Sequence, residues 1–236
     1  MSHPNPHPSR QPEFRQLRHL ELLIALISIL VLQSFVSSDD RLQRVLLNAM
    51  FLIVVLSAMR SLACSKIRMW ATIVLGVAAY ALSWIDEVHS SRLVTGSTDV
   101  CFIAIFVLLI SSLAEHVFGE GPVDANRIIG AISIYFLIGL AWAFLYALIE
   151  LIDPGSFQSN ASSTFGETRP GFVAEFIYFS NVTLTTLGYG DVTPVSRPAR
   201  MLATLQAMIG QLYVAIVIAR LVGLQISQAT VDSTQR

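Results

Sequence analysis

Charge is scarce in this chain. Only 13% of its 236 residues are Asp, Glu, Lys or Arg, about half the share in an ordinary soluble domain, so a water-facing globular surface is excluded for most of its length. The formal net charge is −1 and no basic run interrupts it, which leaves nothing to hold a nucleic-acid backbone. Cysteine is nearly absent. Cys64 and Cys101 fall in or beside different apolar segments and form no CxxC or ligand cluster, so neither a disulfide framework nor a metal site is suggested. No nucleophile, acid–base pair or metal constellation stands out, which makes an enzyme the least expected class and implies no cofactor. What is plentiful is apolar: 54% hydrophobic residues and a mean hydropathy of +0.64 predict an integral membrane protein in a lipid bilayer.

Six stretches are free of Asp, Glu, Lys and Arg: Leu22 to Ser38, Val45 to Met59, Met69 to Ile85, Val100 to Ala114, Ile128 to Ile149 and Met201 to Ala219. They predict an all-α fold with six transmembrane helices. The second and fourth are short against the roughly 20 residues that cross a bilayer, but Arg44, Arg60 and His116 at their ends can snorkel and extend them. Residues 1–18, rich in Pro, His and Arg, read as a disordered cytoplasmic tail. The first apolar run is longer than a signal-peptide core of about 7 to 15 residues and lacks an Ala-x-Ala site, so it is expected to stay as a helix. With both termini inside, nine basic residues lie on the cytoplasmic side and six outside, with Arg60, Lys66 and Arg68 in one short loop as the clearest vote. The outer side then carries ten acids against its six bases, which would concentrate cations there or simply reflects translocated loops.

The stretch between the last two spans is too long for a turn. A Ser/Gly/Asn-rich loop from Asp153 to Glu167 leads to Thr168-Arg169-Pro170, a helix-start signal, and then to the apolar, aromatic run Phe172 to Thr185. About 14 residues rise only about 21 Å, short of a hydrocarbon core of about 30 Å, so this helix is re-entrant. Directly after it comes Thr186-Leu187-Gly188-Tyr189-Gly190-Asp191. Non-helical backbone at membrane depth is tolerated only where it is buried in protein or lines a water-filled path.

Ser180-Asn181-Val182-Thr183-Leu184-Thr185 followed by TLGYGD resembles the pore helix and selectivity filter of the potassium channel family. The resemblance is strong over about Ile128 to Gln225; the four earlier spans match six-helix bacterial channels only in number. It implies a pore shared by a homotetramer, since one chain supplies one filter and a fourfold axis needs four. K+ is the permeant ion. Dehydrating a cation in a low-dielectric medium costs tens of kcal/mol unless oxygens replace the water. Carbonyls of Thr186, Leu187, Gly188 and Tyr189 would supply them, with the Thr186 hydroxyl completing the innermost cage and Gly190 closing the motif. Gly188 and Gly190 suit backbone angles that residues with a Cβ reach poorly. Leu187 stands where the family more often has Val or Ile, and its side chain, like that of Tyr189, is expected to pack against pore helices as a cuff. Thr183 and Thr185 support the filter from the pore helix, whose C-terminal partial negative charge would be aimed at a cavity below. Asp191 is placed at the outer mouth, where Tyr178 or Asn181 is a candidate partner because Val182 stands where some bacterial relatives have an acid. Gly210 has the family's spacing for a gating hinge, with close helix approach as the alternative of equal weight.

The resemblance divides the chain into a tail (1–18), a four-helix region (19–120), a pore domain (126–225) and a second short tail (226–236). Val100 to Ala114 carries no basic residue, so an ordinary voltage sensor is not expected. The eleven residues after Gln225 leave no room in this sequence for a ligand-binding gating domain. His89 and His116 are read as interfacial rather than as pH sensors, Arg220 as a snorkelling base, and the Asn160 sequon as an outer-loop feature. A transporter built from four filter-like repeats is disfavoured because no second GYG occurs. A silent subunit that needs a partner stays open.

Overall fold

A computed structural model describes residues 19–33, 66–88, 91–119, 124–159 and 169–234. Six helices and one two-stranded sheet account for them: α1 Leu20–Gln33, α2 Lys66–Val88, α3 Arg92–Phe118, α4 Ala125–Ile152, β1 Phe157–Ser159, α5 Arg169–Leu184, β2 Val192–Pro194 and α6 Arg197–Thr234. Among the described residues, four helices are long and apolar enough to cross a membrane, within α2, α3, α4 and α6, and α1 contributes a shorter apolar segment. The span expected at Val45 to Met59 lies outside the described residues, as does the Thr168 cap.

Helices α2, α3, α4 and α6 each overrun at both ends the uncharged stretch that predicted them. The fourth expected span, Val100 to Ala114, sits inside the 27 residues of α3, about 40 Å of helix. A charge does not stop a helix whose backbone bonds are complete, so uncharged runs mark the hydrocarbon-facing middle while Arg92, Asp99 and Glu115 ride on the ends. Asp99 is buried nonetheless, and the Thr95 hydroxyl donates to the neighbouring Asp86 carboxylate of α2 at 2.7 Å. Helix ends are finished chemically. Asp124 caps α4 by accepting from the Arg127 N–H at 3.0 Å. The last carbonyls of α3 accept from bases on two other helices: Gly119 from Arg127 at 2.9 Å and Phe118 from Arg220 at 3.3 Å. Arg220, expected to snorkel, thus ties α6 to α3. Arg68 pairs with Glu115 at 2.7 Å and joins α2 to α3 at the same end, where the His19 and His116 rings lie 5.0 Å apart.

Within lipid, apolar contact gains little from leaving water, so close packing holds the helices together. Phe102 and Phe106 of α3 clasp Phe144 of α4, with ring centroids at 4.8 and 5.8 Å. A second aromatic group, Tyr146 of α4, Phe157 of β1, and Phe176 and Phe179 of α5, joins the short helix to the strand and to α4 at 4.9 to 6.4 Å. Strand β1 pairs antiparallel with β2, Gln158 opposite Thr193, so the segment before α5 is stitched to the segment after TLGYGD. Glu150 secures the turn before β1: its buried carboxylate accepts from the N–H groups of Gly155 at 2.6 Å and Phe157 at 3.0 Å.

Candidate functional site

Sixteen residues form α5, about 24 Å of helix, shifted by one to three residues from the expected Phe172 to Thr185. A helix leaves its last four carbonyls without helical donors. Here all four are served. Asn181 O accepts from the Thr185 N–H at 3.0 Å and the Thr185 hydroxyl at 2.7 Å. Val182 O accepts from the N–H groups of Leu187 at 2.9 Å and Gly188 at 3.3 Å, Thr183 O from that of Thr186 at 3.0 Å, and Leu184 O from the Tyr135 hydroxyl at 3.1 Å. The chain therefore folds back on the helix end as it leaves it. Thr183 and Thr185 contribute at this turn, through a carbonyl and a hydroxyl respectively.

Beyond the turn the backbone alternates. Thr186, Gly188 and Gly190 have φ of 58°, 60° and 77°, while Leu187 and Tyr189 between them keep negative φ. In a strand successive carbonyls point to opposite sides; a φ that changes sign at every residue departs from that strand pattern. A Cβ built at Gly188 or Gly190 meets no atom within 4 Å. Glycine is needed there for its conformation, then, and not for space. Thr186 was not expected to be left-handed. A β-branched residue in that region carries strain of about 1–3 kcal/mol, and its own hydrogen bonds hold it: the hydroxyl donates to Thr185 O at 2.7 Å and accepts from the Gln211 amide at 3.1 Å.

Leu187 and Tyr189 are 54% and 68% exposed. The cuff expected of them is not made within one chain. Asp191 fares differently: the Tyr178 hydroxyl donates to its carboxylate at 2.6 Å, and the Val192 N–H donates to the other oxygen at 3.0 Å. The Tyr178 hydrogen bond, followed by the backbone one, holds the Asp191 carboxyl below its ordinary value. Asn181, the other candidate partner, donates instead to Ile177 O at 2.7 Å.

Two glycines let neighbouring helices press on α5. A Cβ on Gly139 of α4 would come within 2.9 Å of Asn181 Oδ1, and one on Gly210 of α6 would overlap the Leu184 carbonyl oxygen. Gly210 thus has a packing reason that is independent of any hinge. Between these contacts runs a buried polar chain that the sequence reading missed. Tyr146 donates to Gln206 Oε1 at 2.6 Å, Gln206 Nε2 to Ser180 Oγ at 2.7 Å, and Ser180 to Gly139 O at 2.6 Å. A glutamine inside an apolar span was the available signal, because an unserved amide is costly there.

With this geometry in view, the comparisons are informative. Residues 134–224 match the family described as "Ion channel", covering α4 through most of α6. A stretch of 87 residues is 37% identical to "Two pore potassium channel c" of Oryza sativa subsp. japonica, covering 37% of this chain and 18% of that protein. A stretch of 83 residues is 32% identical to "Protein LctB" of Geobacillus stearothermophilus, covering 35% and 60%, and one of 88 residues is 28% identical to "Protein LctB" of Bacillus caldotenax, covering 37% and 64%. These alignments span less than two thirds of each relative. No solved structure matches significantly. The chain is a multi-pass membrane protein, and the segment from 134 to 224 is similar to an ion-channel family.

Proposed function

We propose that four copies of this chain assemble around an axis lined by TLGYG and conduct K+ passively and selectively through it. The alternating φ from Thr186 to Gly190 is the observation that carries this reading. Such alternation would turn successive carbonyls to one side, which is what a cation must meet to leave its hydration shell, and four chains would surround the ion with such oxygens at each level. Relatedness of the matched segment to a potassium channel of rice supports the ion assignment. Exposure of Leu187 and Tyr189 fits a filter whose cuff is completed by neighbouring chains. The proposed K+ sites are the carbonyls of Thr186, Leu187, Gly188 and Tyr189, with Asp191 at the mouth. We place the assembly in the cell membrane with both termini cytoplasmic and the region 19–120 beside the pore domain 126–225. We read conduction as independent of an ordinary voltage sensor; α3, whose one arginine is at its first position, supports this. Purified protein in liposomes should pass K+ and largely exclude Na+; equal flux of the two would refute selectivity, and no K+ flux at any pH or potential would refute a self-sufficient channel.

A further inference from the structure

Gln211 belongs to no motif, yet it reaches the first residue of the filter. Gly210, the residue before it, lets α6 come against the last carbonyl of α5, and this close approach brings the next side chain under the turn. Its Nε2 donates to the Thr186 hydroxyl oxygen at 3.1 Å. That hydroxyl has one hydrogen and two lone pairs. The hydrogen is committed to Thr185 O at 2.7 Å and one lone pair to Gln211, so a single lone pair remains and its direction is fixed. Both residues are exposed in the single chain, so this lone pair opens onto space that the chain's own atoms do not fill. The surrounding run, Ile209, Leu212 and Val214, is apolar, and a lone amide there is costly unless it has a partner.

We propose that Gln211 is a positioning residue for the innermost cation site: it locks the Thr186 hydroxyl so that its free lone pair faces the ion, and so sets the affinity of that site. The inference rests on the channel reading above. Ba2+ is the useful probe, since its radius is close to that of K+ and its charge is double, so it settles in cages built for K+ and dwells longer. Ba2+ binding is measured by titration calorimetry on the purified full-length protein, which works whether or not a variant conducts. K+ flux of the wild type in liposomes is recorded alongside. Gln211→Leu removes the donor from each of the four chains around the site, and a net loss equal to about one hydrogen bond should weaken Ba2+ binding about 3- to 10-fold. In a Thr186→Val background, where no hydroxyl is left to orient, adding Gln211→Leu should change nothing, a non-additivity that a merely structural role would not produce. Gln211→Asn, an amide one methylene too short, makes the same comparison should the leucine variant fail to assemble. Ba2+ affinity that is unchanged or tightened, or an equal change in both backgrounds, overturns the proposal while leaving the channel reading intact. A wild type that neither passes K+ nor binds Ba2+ overturns both.

Discussion

Replacing Gly210 by alanine separates two roles that the sequence leaves level. An ideal Cβ at this position overlaps the Leu184 carbonyl oxygen and lies 3.1 Å from both its carbon and Leu184 Cδ1. The first obstacle is backbone at the end of α5, held by the Tyr135 hydroxyl at 3.1 Å, and it cannot swing aside as a side chain does. To reach ordinary contact, α6 and α5 must part by about 1 Å. Overpacking of this kind costs about 1–3 kcal/mol, against which alanine returns about 1 kcal/mol of helix propensity. The expected net is a loss of up to about 2 kcal/mol per chain, and because the displaced turn carries Thr186, K+ selectivity should fall with it. Thermal dissociation of the purified assembly, scored beside the K+ to Na+ flux ratio, reads both effects. Leu184→Ala should not rescue the variant, since it removes Cδ1 and leaves the carbonyl. If Gly210→Ala is instead as stable as the wild type or more so, keeps its selectivity and only opens less often, packing is not the reason for this glycine and the hinge is.

Three further outcomes follow from the same geometry. Gly188→Ala should lose K+ over Na+ selectivity, because a left-handed L-residue costs about 1–2 kcal/mol, whereas D-alanine placed there by semisynthesis should conserve it, since the site has room and only the sign of φ matters; equal loss with both would refute the conformational reading. Tyr178→Phe should let the Asp191 carboxyl rise toward its ordinary value of about 3.9. With the tyrosine, its contribution is present above that value and fades only as pH falls through the lowered one, so in the variant external acid should suppress conduction at higher pH, as read from flux against external pH. Gln206→Leu strands one buried hydroxyl, that of Tyr146, and takes a donor from Ser180, whose own hydrogen stays bonded to Gly139 O; at about 1–3 kcal/mol for the unserved group it should lower the melting temperature without changing the order of ion preference.

The left-handed backbone of Gly188 and Gly190 was legible in the sequence because its cause is local: two glycines two residues apart reach these angles without a distant partner. The helices were legible as apolar runs, but their ends were not, since Arg92 and Glu115 extend α3 at no cost to its hydrogen bonds. Contacts across the fold were out of reach. Tyr178 and Asp191, 13 residues apart, could be guessed from the resemblance, while Gln206 with Ser180 and Gln211 with Thr186 join α6 to α5 across 26 and 25 residues and depend on how closely Gly210 lets the two helices meet. The packing expected of Leu187 and Tyr189 is not a property of one chain, in which both side chains are exposed.

The central claim is that Thr186 to Gly190 form a K+-selective path, and a reversal potential tests it most directly. With the reconstituted protein between equal concentrations of KCl and NaCl, a selective pore moves the zero-current potential toward the K+ side by about 59 mV for each tenfold preference, so a shift beyond about 100 mV is expected. A reversal potential near zero with current flowing would contradict it.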